Sequence, residues 1–309
     1  MQIAFFGTSD RSLPILEALK SKFELVVCIT KADVPVGRHQ VPQASQVKTW
    51  AIQNGVHVVT ISTTPKQEAP AISEQLKSSG AVLGVVADFG FMLPPELLAL
   101  FSHGLINVHF SLLPKYRGAS PVQFAMLAGD TQTGISYQLM EAALDAGPII
   151  SQTSYPLTNT ETAGQLYQTL FSLAGAQLPQ VITDYITGKT VPQPQDEARA
   201  SYTYSPSHPT ATVIFKEDAR LNWKSSVQQI SAAIRAYNPW PIAWTTLGEL
   251  QASGHKVTGF TTVKDATKLT KVVKLYTASC TATQLSIKTL KLADGNMLTW
   301  EQFTNGYLV

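Results

Sequence analysis

Cysteine is almost missing from this chain: Cys28 and Cys280 are the only two in 309 residues. Two isolated thiols exclude a disulfide framework and a thiolate zinc cluster, and they suit a reducing compartment. Neither H-E-x-x-H nor C-x-x-C occurs, so no metal mechanism is expected. Charge is also sparse, at 14% Asp, Glu, Lys and Arg against 44% hydrophobic residues, which excludes a disordered chain. No apolar run is long enough for a membrane. The best candidate, residues 81–101, is interrupted by Asp88, Pro94, Pro95 and Glu96 and reads as a buried strand, a loop and a short helix. The N-terminus carries no basic region with a cleavage site, so a cytoplasmic protein is expected. The first strand-to-helix turn, Phe6-Gly7-Thr8-Ser9-Asp10, lacks G-x-G-x-x-G, which weakens a dinucleotide reading. G-x-S-x-G is absent too, and with it a serine acyl-enzyme.

What is present alternates. Short apolar runs at residues 3–6, 25–29, 56–61 and 81–87 read as buried strands. Between them, residues 9–20, 43–53 and 65–78 have helical spacing. Buried strands alternating with helices predict a doubly wound parallel α/β sheet. Ligands of such sheets lie beyond the carboxyl ends of the strands. Gly7-Thr8, Asp88-Phe89-Gly90 and Asn107-Val108-His109 all fall at such ends. Residues 31–46, with Gly37, Arg38 and His39, show no periodicity, and a connection that long is often functional.

Residues 160–187 form a helical stretch with Leu166, Leu170, Leu173 and Leu178 on its apolar face. Residues 188–209, punctuated by Pro192, Pro194, Pro206 and Pro209, read as a linker. The expected organisation is a first domain over 1–188, a linker over 189–209 and a second domain over 210–309. In the last of these, a short amphipathic helix at 227–236 precedes strand-like runs that include 272–276 and 285–289, the pattern of a small barrel. The net charge of +2 hides an asymmetry. From Ser205 onward there are 11 Lys and Arg against 6 Asp and Glu, while the first 204 residues carry a net of −3. An acidic front and a basic back suit a catalytic domain joined to one that meets phosphate.

The richest stretch is residues 106–150. Asn107 and His109 stand two apart at a strand end and therefore point the same way. Ser111-Leu112-Leu113-Pro114 then turns the chain, and Asp145 sits in a Leu-Asp-Ala-Gly turn before the apolar run Pro148-Ile149-Ile150. An amide, an imidazole and a carboxylate on one rim suit acyl transfer to an amine. The amide donates to the developing oxyanion, the imidazole manages the proton, and the carboxylate orients the imidazole. Taken singly, each also has a structural reading: a hydrogen-bonded histidine, a strand-end cap, a turn former.

Asn-x-His, Ser-Leu-Leu-Pro and a later Asp, here Asn107, His109, residues 111–114 and Asp145, resemble the signature of the formyltetrahydrofolate-dependent formyltransferases. Further segments resemble the methionyl-tRNA formyltransferase branch: Phe6-Gly7-Thr8, Asp218 to Trp223, Ile234-Arg235-Ala236 with Asn238-Pro239-Trp240-Pro241, and the closing Gly295-Asn296-Met297 with Phe303-Thr304-Asn305-Gly306. The resemblance implies a Rossmann-like catalytic domain and a second domain of the oligonucleotide-binding barrel type. It implies 10-formyltetrahydrofolate as co-substrate and initiator methionyl-tRNA as acceptor, handled by a monomer. By the same resemblance Asn107, His109 and Asp145 are catalytic. Asp88, Phe89, Gly90, Phe91, Met92 and Leu93, with Ser111, Leu112, Leu113 and Pro114, would wall the folate site. Arg38 and His39 would meet the tRNA, although His39-Gln40 stand where relatives tend to carry more basic residues. The alternatives are a sugar-nucleotide N-formyltransferase using the same carrier, a formyltetrahydrofolate hydrolase, and a non-catalytic folate- or tRNA-binding protein. The Asn238 corner and the basic second half favour tRNA, and the intact Asn107, His109 and Asp145 set favours catalysis.

Overall fold

The computed structural model describes residues 1–36, 40–293 and 295–309. The chain divides into two compact units. The first comprises residues 1–119, 134–155 and 167–201; the second comprises 120–133, 156–166 and 202–309. Residues 189–201, part of the stretch read as a linker, thus belong to the first unit.

In chain order the first stretch runs β1 (Gln2–Phe6), α1 (Leu13–Lys22), β2 (Glu24–Lys31), β3 (Val34–Val36), β4 (Val41–Gln43), α2 (Gln46–Gln53), β5 (His57–Ile61), α3 (Pro65–Ser79), β6 (Leu83–Val86), α4 (Pro95–Leu98) and β7 (Leu105–His109). Then follow α5 (Pro121–Ala128), β8 (Gln132–Leu139), β9 (Ile149–Pro156) and α6 (Ala163–Ile186). The main sheet has the order β5-β2-β1-β6-β7-β8-β9. Its strands pair in parallel from β5 to β7. From β1 the chain winds outward to β2 and β5 and then returns to β6, so the order reverses between β1 and β6, the topological switch point of a doubly wound sheet.

Local chemistry accounts for the elements. β1 is apolar on both faces, and Ile3, Ala4, Phe5 and Phe6 are all fully buried. Burying one such large side chain contributes roughly 1.5–3 kcal/mol. The helix α3 starts where the Thr64 side chain accepts from Gln67 N with Pro65 at the first position, and it stops at left-handed Gly80. On α6, Leu166, Leu170 and Leu178 are buried as the spacing predicts; Leu173 is half-exposed, and Phe171, Ala174 and Ile182 complete the stripe.

Two features depart from the sequence reading. β8 lies antiparallel to β7, so the sheet is mixed. The aperiodic stretch 31–46 contains a short antiparallel pair, β3 with β4.

The second unit holds α7 (Val227–Ala236), β10 (Ala243–Thr246), α8 (Leu247–Ala252), β11 (Lys256–Val257), β12 (Val272–Cys280), β13 (Gln284–Leu292), β14 (Met297–Thr299) and α9 (Trp300–Tyr307). Its sheet has the order β10-β12-β13-β11, with β14 also pairing β13. Ser226 and Gln229 form a reciprocal capping box at the start of α7, and Thr299 with Gln302 does the same for α9. Val273, Leu275, Leu290 and Leu292 of the paired strands pack with Ile230, Ile234 and Phe303 in one core. Asn238 and Pro239 make a packing corner. The Asn238 carbonyl accepts from Gly164 N, its amide donates to the Tyr276 carbonyl, and a Cβ on Gly164 would lie 2.8 Å from Pro239. No helix among the described residues is long and apolar enough to cross a membrane.

Candidate active site

The site is built at the carboxyl end of β7. Asn107 is half-buried there, and His109 is 6% exposed. The register with β8 sets Asn107 opposite Gln138 and His109 opposite Ser136. Opposed residues on one face lie about 5 Å apart, so the two amides of Asn107 and Gln138 converge. Both donate to Oδ1 of Asp145, each at 3.0 Å. The other carboxylate oxygen accepts from Gly118 N at 2.8 Å and faces His109 Nδ1 at 3.6 Å. A buried carboxylate is tolerated only with such a set of donors.

His109 Nε2 lies 2.9 Å from the Tyr116 carbonyl. A carbonyl only accepts, so Nε2 carries the hydrogen. The ring nitrogens therefore span two oxygens, one on a carboxylate and one on a backbone turn.

The turn that presents Asp145 is tightly folded. Asp145 itself has φ of +48°, a left-handed conformation that few non-glycine residues adopt. Gly147 is required, because a Cβ there would sit 1.7 Å from the Leu139 carbonyl oxygen. Signals in the sequence pointed to Asn107, His109 and Asp145, and the fold brings these three together. Gln138 was missed; only the β7–β8 register reveals it.

Ser111 and Leu113 are buried. The Ser111 hydroxyl donates to the Lys115 carbonyl at 2.6 Å, and Ser136 Oγ donates to the Ser111 carbonyl at 2.6 Å. Leu113 N donates to Ser136 Oγ, and Gln152 Nε2 donates to the Leu113 carbonyl. Ser111 to Pro114 thus form a turn pinned from within, of which Leu112 and Pro114 are partly exposed.

Residues 88–93 leave β6 two positions after Val86, which pairs with Asn107. Asp88 and Gly90 both have left-handed backbones, with φ of +54° and +75°. Phe89 and Leu93 are buried, Phe91 is half-buried and Met92 is 60% exposed. The rings of Phe89 and Phe91 meet edge to face at 5.3 Å. The Asp88 carboxylate accepts from Ser9 Oγ at 2.6 Å and from Arg11 Nη2 at 2.8 Å. The Arg11 guanidinium in turn lies 4.4 Å from the centre of the Tyr167 ring. Thr8, Ser9, Arg11, Lys31 and residues 88–91 line a pocket of about 310 Å³ beside the switch point. Arg11 and Ser9 were not foreseen from the sequence, because their contact with Asp88 spans 77 residues or more. The two residues expected to meet RNA, Arg38 and His39, lie outside the described residues. Among the described residues no group of acidic, histidine and cysteine side chains could hold a metal ion.

A switch-point pocket next to a rim of amide, imidazole and carboxylate defines a group-transfer enzyme, and comparison with known proteins gives the group. The formyl transferase family matches residues 1–182, and the formyl transferase C-terminal domain family matches residues 213–308. Methionyl-tRNA formyltransferase of Thiobacillus denitrificans is 39% identical over 248 residues, which is 80% of this chain and 76% of that protein. Methionyl-tRNA formyltransferase from Clostridium thermocellum agrees in fold, with a TM-score of 0.58 at 16% identity over 96% of this chain and all of that one. An N-formyltransferase from Helicobacter canadensis, solved with folinic acid and dTDP-3-aminofucose, agrees in fold to a TM-score of 0.58 at 20% identity, covering 88% of this chain and 94% of that one. The chain belongs to the methionyl-tRNA formyltransferase family.

Proposed function

We propose that this protein transfers a formyl group from 10-formyltetrahydrofolate to the α-amine of initiator methionyl-tRNA. The observation that carries the reading is the convergence of Asn107, Gln138, Gly118 and His109 on Asp145 at the end of β7. The relative from Thiobacillus denitrificans bears the same activity in its name.

The folate suits residues 88–93. Phe89 and Phe91 line the pocket and give apolar surface for a flat ring system, and the left-handed turns at Asp88 and Gly90 leave the backbone open to a ligand. The carrier, when bound, supplies a formyl carbon activated for attack by an amine. The chain's own residues do the rest. One amide hydrogen of Asn107 is spent on Asp145, and the other is free to meet the formyl oxygen as negative charge develops there. His109 adds a second donor to that oxygen when its Nε2 hydrogen leaves the Tyr116 carbonyl. Asp145 holds both groups and takes part in moving the amine proton. A donor placed this way typically contributes 10²–10³ in rate, about 3–4 kcal/mol.

The RNA reading rests on the second unit. Lys274 of β12 and Lys291 of β13 stand directly opposite each other, and Trp244 is opposite Lys274 on the other side. Like charges face to face are destabilising unless an anion joins them. Among the described residues neither lysine has an ion-pair partner. Other lysines of this unit are committed internally: Lys264 donates to the Asn305 carbonyl, and Lys268 lies beside Asp265. Cations with aromatic neighbours on a sheet face suit a phosphodiester backbone. Arg38 and His39 are proposed as further contacts to the acceptor end, the protein acting as a cytoplasmic monomer.

The test is formyl transfer to charged initiator tRNA beside an amino-sugar nucleotide. Salt-sensitive formylation of the tRNA alone is expected; activity on the amino sugar alone would overturn the acceptor and keep the chemistry.

A further inference from the structure

The carboxylate of Asp145 is fixed by its four neighbours, but the backbone of its turn is held by a side chain fifty residues further on. Gln195 Nε2 lies 2.8 Å from the Asp145 carbonyl oxygen, 2.7 Å from that of Gly147 and 3.1 Å from Gln138 Oε1. One amide therefore ties together both ends of the Asp145-Ala146-Gly147 turn and the residue that donates to Asp145 Oδ1.

The orientation of that amide is itself dictated. Gln195 Oε1 accepts from Arg117 Nε at 3.2 Å and from Nη2 at 2.9 Å. A guanidinium only donates, so the oxygen must face Arg117 and the NH₂ group must face the turn. Arg117 is 1% exposed and also reaches Glu197, with Nη1 at 2.9 Å from Oε2 and Nη2 at 2.6 Å from Oε1. The strip that carries Gln195 is anchored on both sides. Gln193 exchanges two backbone hydrogen bonds with Ile149, each 2.8 Å, and Ser201 bonds through its own backbone to Pro114 and Arg117 at 3.1 and 2.8 Å. All of these residues lie in the first unit. Gln195, Glu197 and Ser201 fall in residues 183–212, between the two stretches that the families match.

We infer that Gln195, locked in orientation by Arg117, is a positioning residue for Asp145. It sets the backbone of residues 145–147, and through that the direction of the carboxylate toward Asn107 and His109, without touching either substrate. The left-handed backbone at Asp145 is why such a brace is needed: the turn would relax to an extended form if its carbonyls lost their donor. The inference rests on the reading of Asp145 as catalytic.

Gln195→Glu tests it. The substitution keeps the size and the partnership with Arg117, but it turns a donor to two carbonyls into an acceptor that faces them. A turn displaced by about 1 Å typically costs on the order of 100-fold in turnover, so kcat is expected to fall about that much while KM for both substrates stays within about twofold. The thermal midpoint should hold, since an ion pair with Arg117 is gained. In an Asp145→Asn background the same change should alter the residual kcat by less than about twofold, because a residue acting through Asp145 has nothing left to position. A folded Gln195→Glu enzyme with wild-type kcat overturns the inference, as does an undiminished loss in the Asp145→Asn background. Should Gln195→Glu not fold, Glu197→Gln loosens Arg117 from the exposed side, and a kcat lowered about threefold at unchanged KM is expected; an unchanged kcat overturns it. Failure of the catalytic reading shows separately, as full activity in Asp145→Asn alone.

Discussion

The rim at the end of β7 and the wall at residues 88–93, which follows the neighbouring strand β6, are built in opposite ways. Asp145 is 12% exposed and receives hydrogen bonds from Asn107, Gln138 and Gly118 and faces the His109 imidazole, four residues drawn from three segments. Asp88 is about a third exposed and is held by Ser9 and Arg11, which leave the same turn after β1. The Asp145 carboxylate has no freedom to spare, as chemistry requires of a group that must hold its partners in place during reaction. The wall is latched at Asp88 and Phe89 from that one turn, where Thr8 also donates to both carbonyls, and it carries an exposed Met92, as a surface requires that must admit and release a ligand. Substitutions at the rim should therefore act on kcat, and substitutions at the latch on KM.

The largest effect is expected at the rim. Asn107→Ala and Asp145→Ala should each lower kcat by roughly 10²–10³ while the protein stays folded. Steady-state formylation with circular dichroism checks both halves of that statement. A wild-type rate in Asn107→Ala would remove Asn107 from the chemistry. The latch should give the next effect. Arg11→Met keeps an apolar side chain beside the Tyr167 ring but removes the cation from both Tyr167 and Asp88. About a tenfold rise in KM for the folate, worth about 1.4 kcal/mol, is expected with kcat within twofold. A fall in kcat without a change in KM would erase the distinction between wall and rim.

Why one region was readable from the sequence and the other was not follows from the same contrast. β1, β2 and β6 are apolar runs largely buried between layers, and their pattern is visible without a structure. Asn107 and His109 were legible because a period of two at a strand end fixes their common face. β8 was not: Ile135, Tyr137 and Leu139 alternate with Ser136 and Gln138, a pattern that reads as one solvent-facing side, yet Ser136 and Gln138 are buried as well. Its burial depends on partners such as Asp145 and Ser111, which only the assembled sheet supplies. Arg11 and Gln195 have the same difficulty at longer range: each acts through a side chain or turn 77 or 50 residues away. The long helix and the basic second half were readable as patterns. That Lys274 stands opposite Lys291 was decided by the pairing of β12 with β13.

That pairing supplies a smaller effect, outside the first unit. Lys274→Ala with Lys291→Ala should weaken tRNA binding a few-fold at low salt and reduce the slope of log affinity against log salt by about 2, one for each phosphate no longer neutralised. Neither kcat nor the KM for folate should move, since both lysines lie in the second unit. An unchanged slope in filter binding or fluorescence titration would mean that the opposed lysines do not meet phosphate.

The smallest effect probes whether acid reaches the buried rim through its one exposed brace. Glu197 is 68% exposed, and its hydrogen bond and ion pair with Arg117 hold its carboxyl below the usual value of 4.5. The sign follows from linkage. A carboxyl with a depressed folded value contributes stability above its unfolded value, and that contribution is lost as pH falls through the folded one. Between pH 7 and about 5 the thermal midpoints of wild type and Glu197→Gln should therefore differ by a constant amount. Below about pH 4.5 the gap should narrow, as the wild type loses what the variant already lacks. Differential scanning fluorimetry over that range measures it. A gap that stays constant down to about pH 3 would mean that Glu197 contributes nothing to the brace, and that Arg117 is held by Gln195 and the surrounding protein alone.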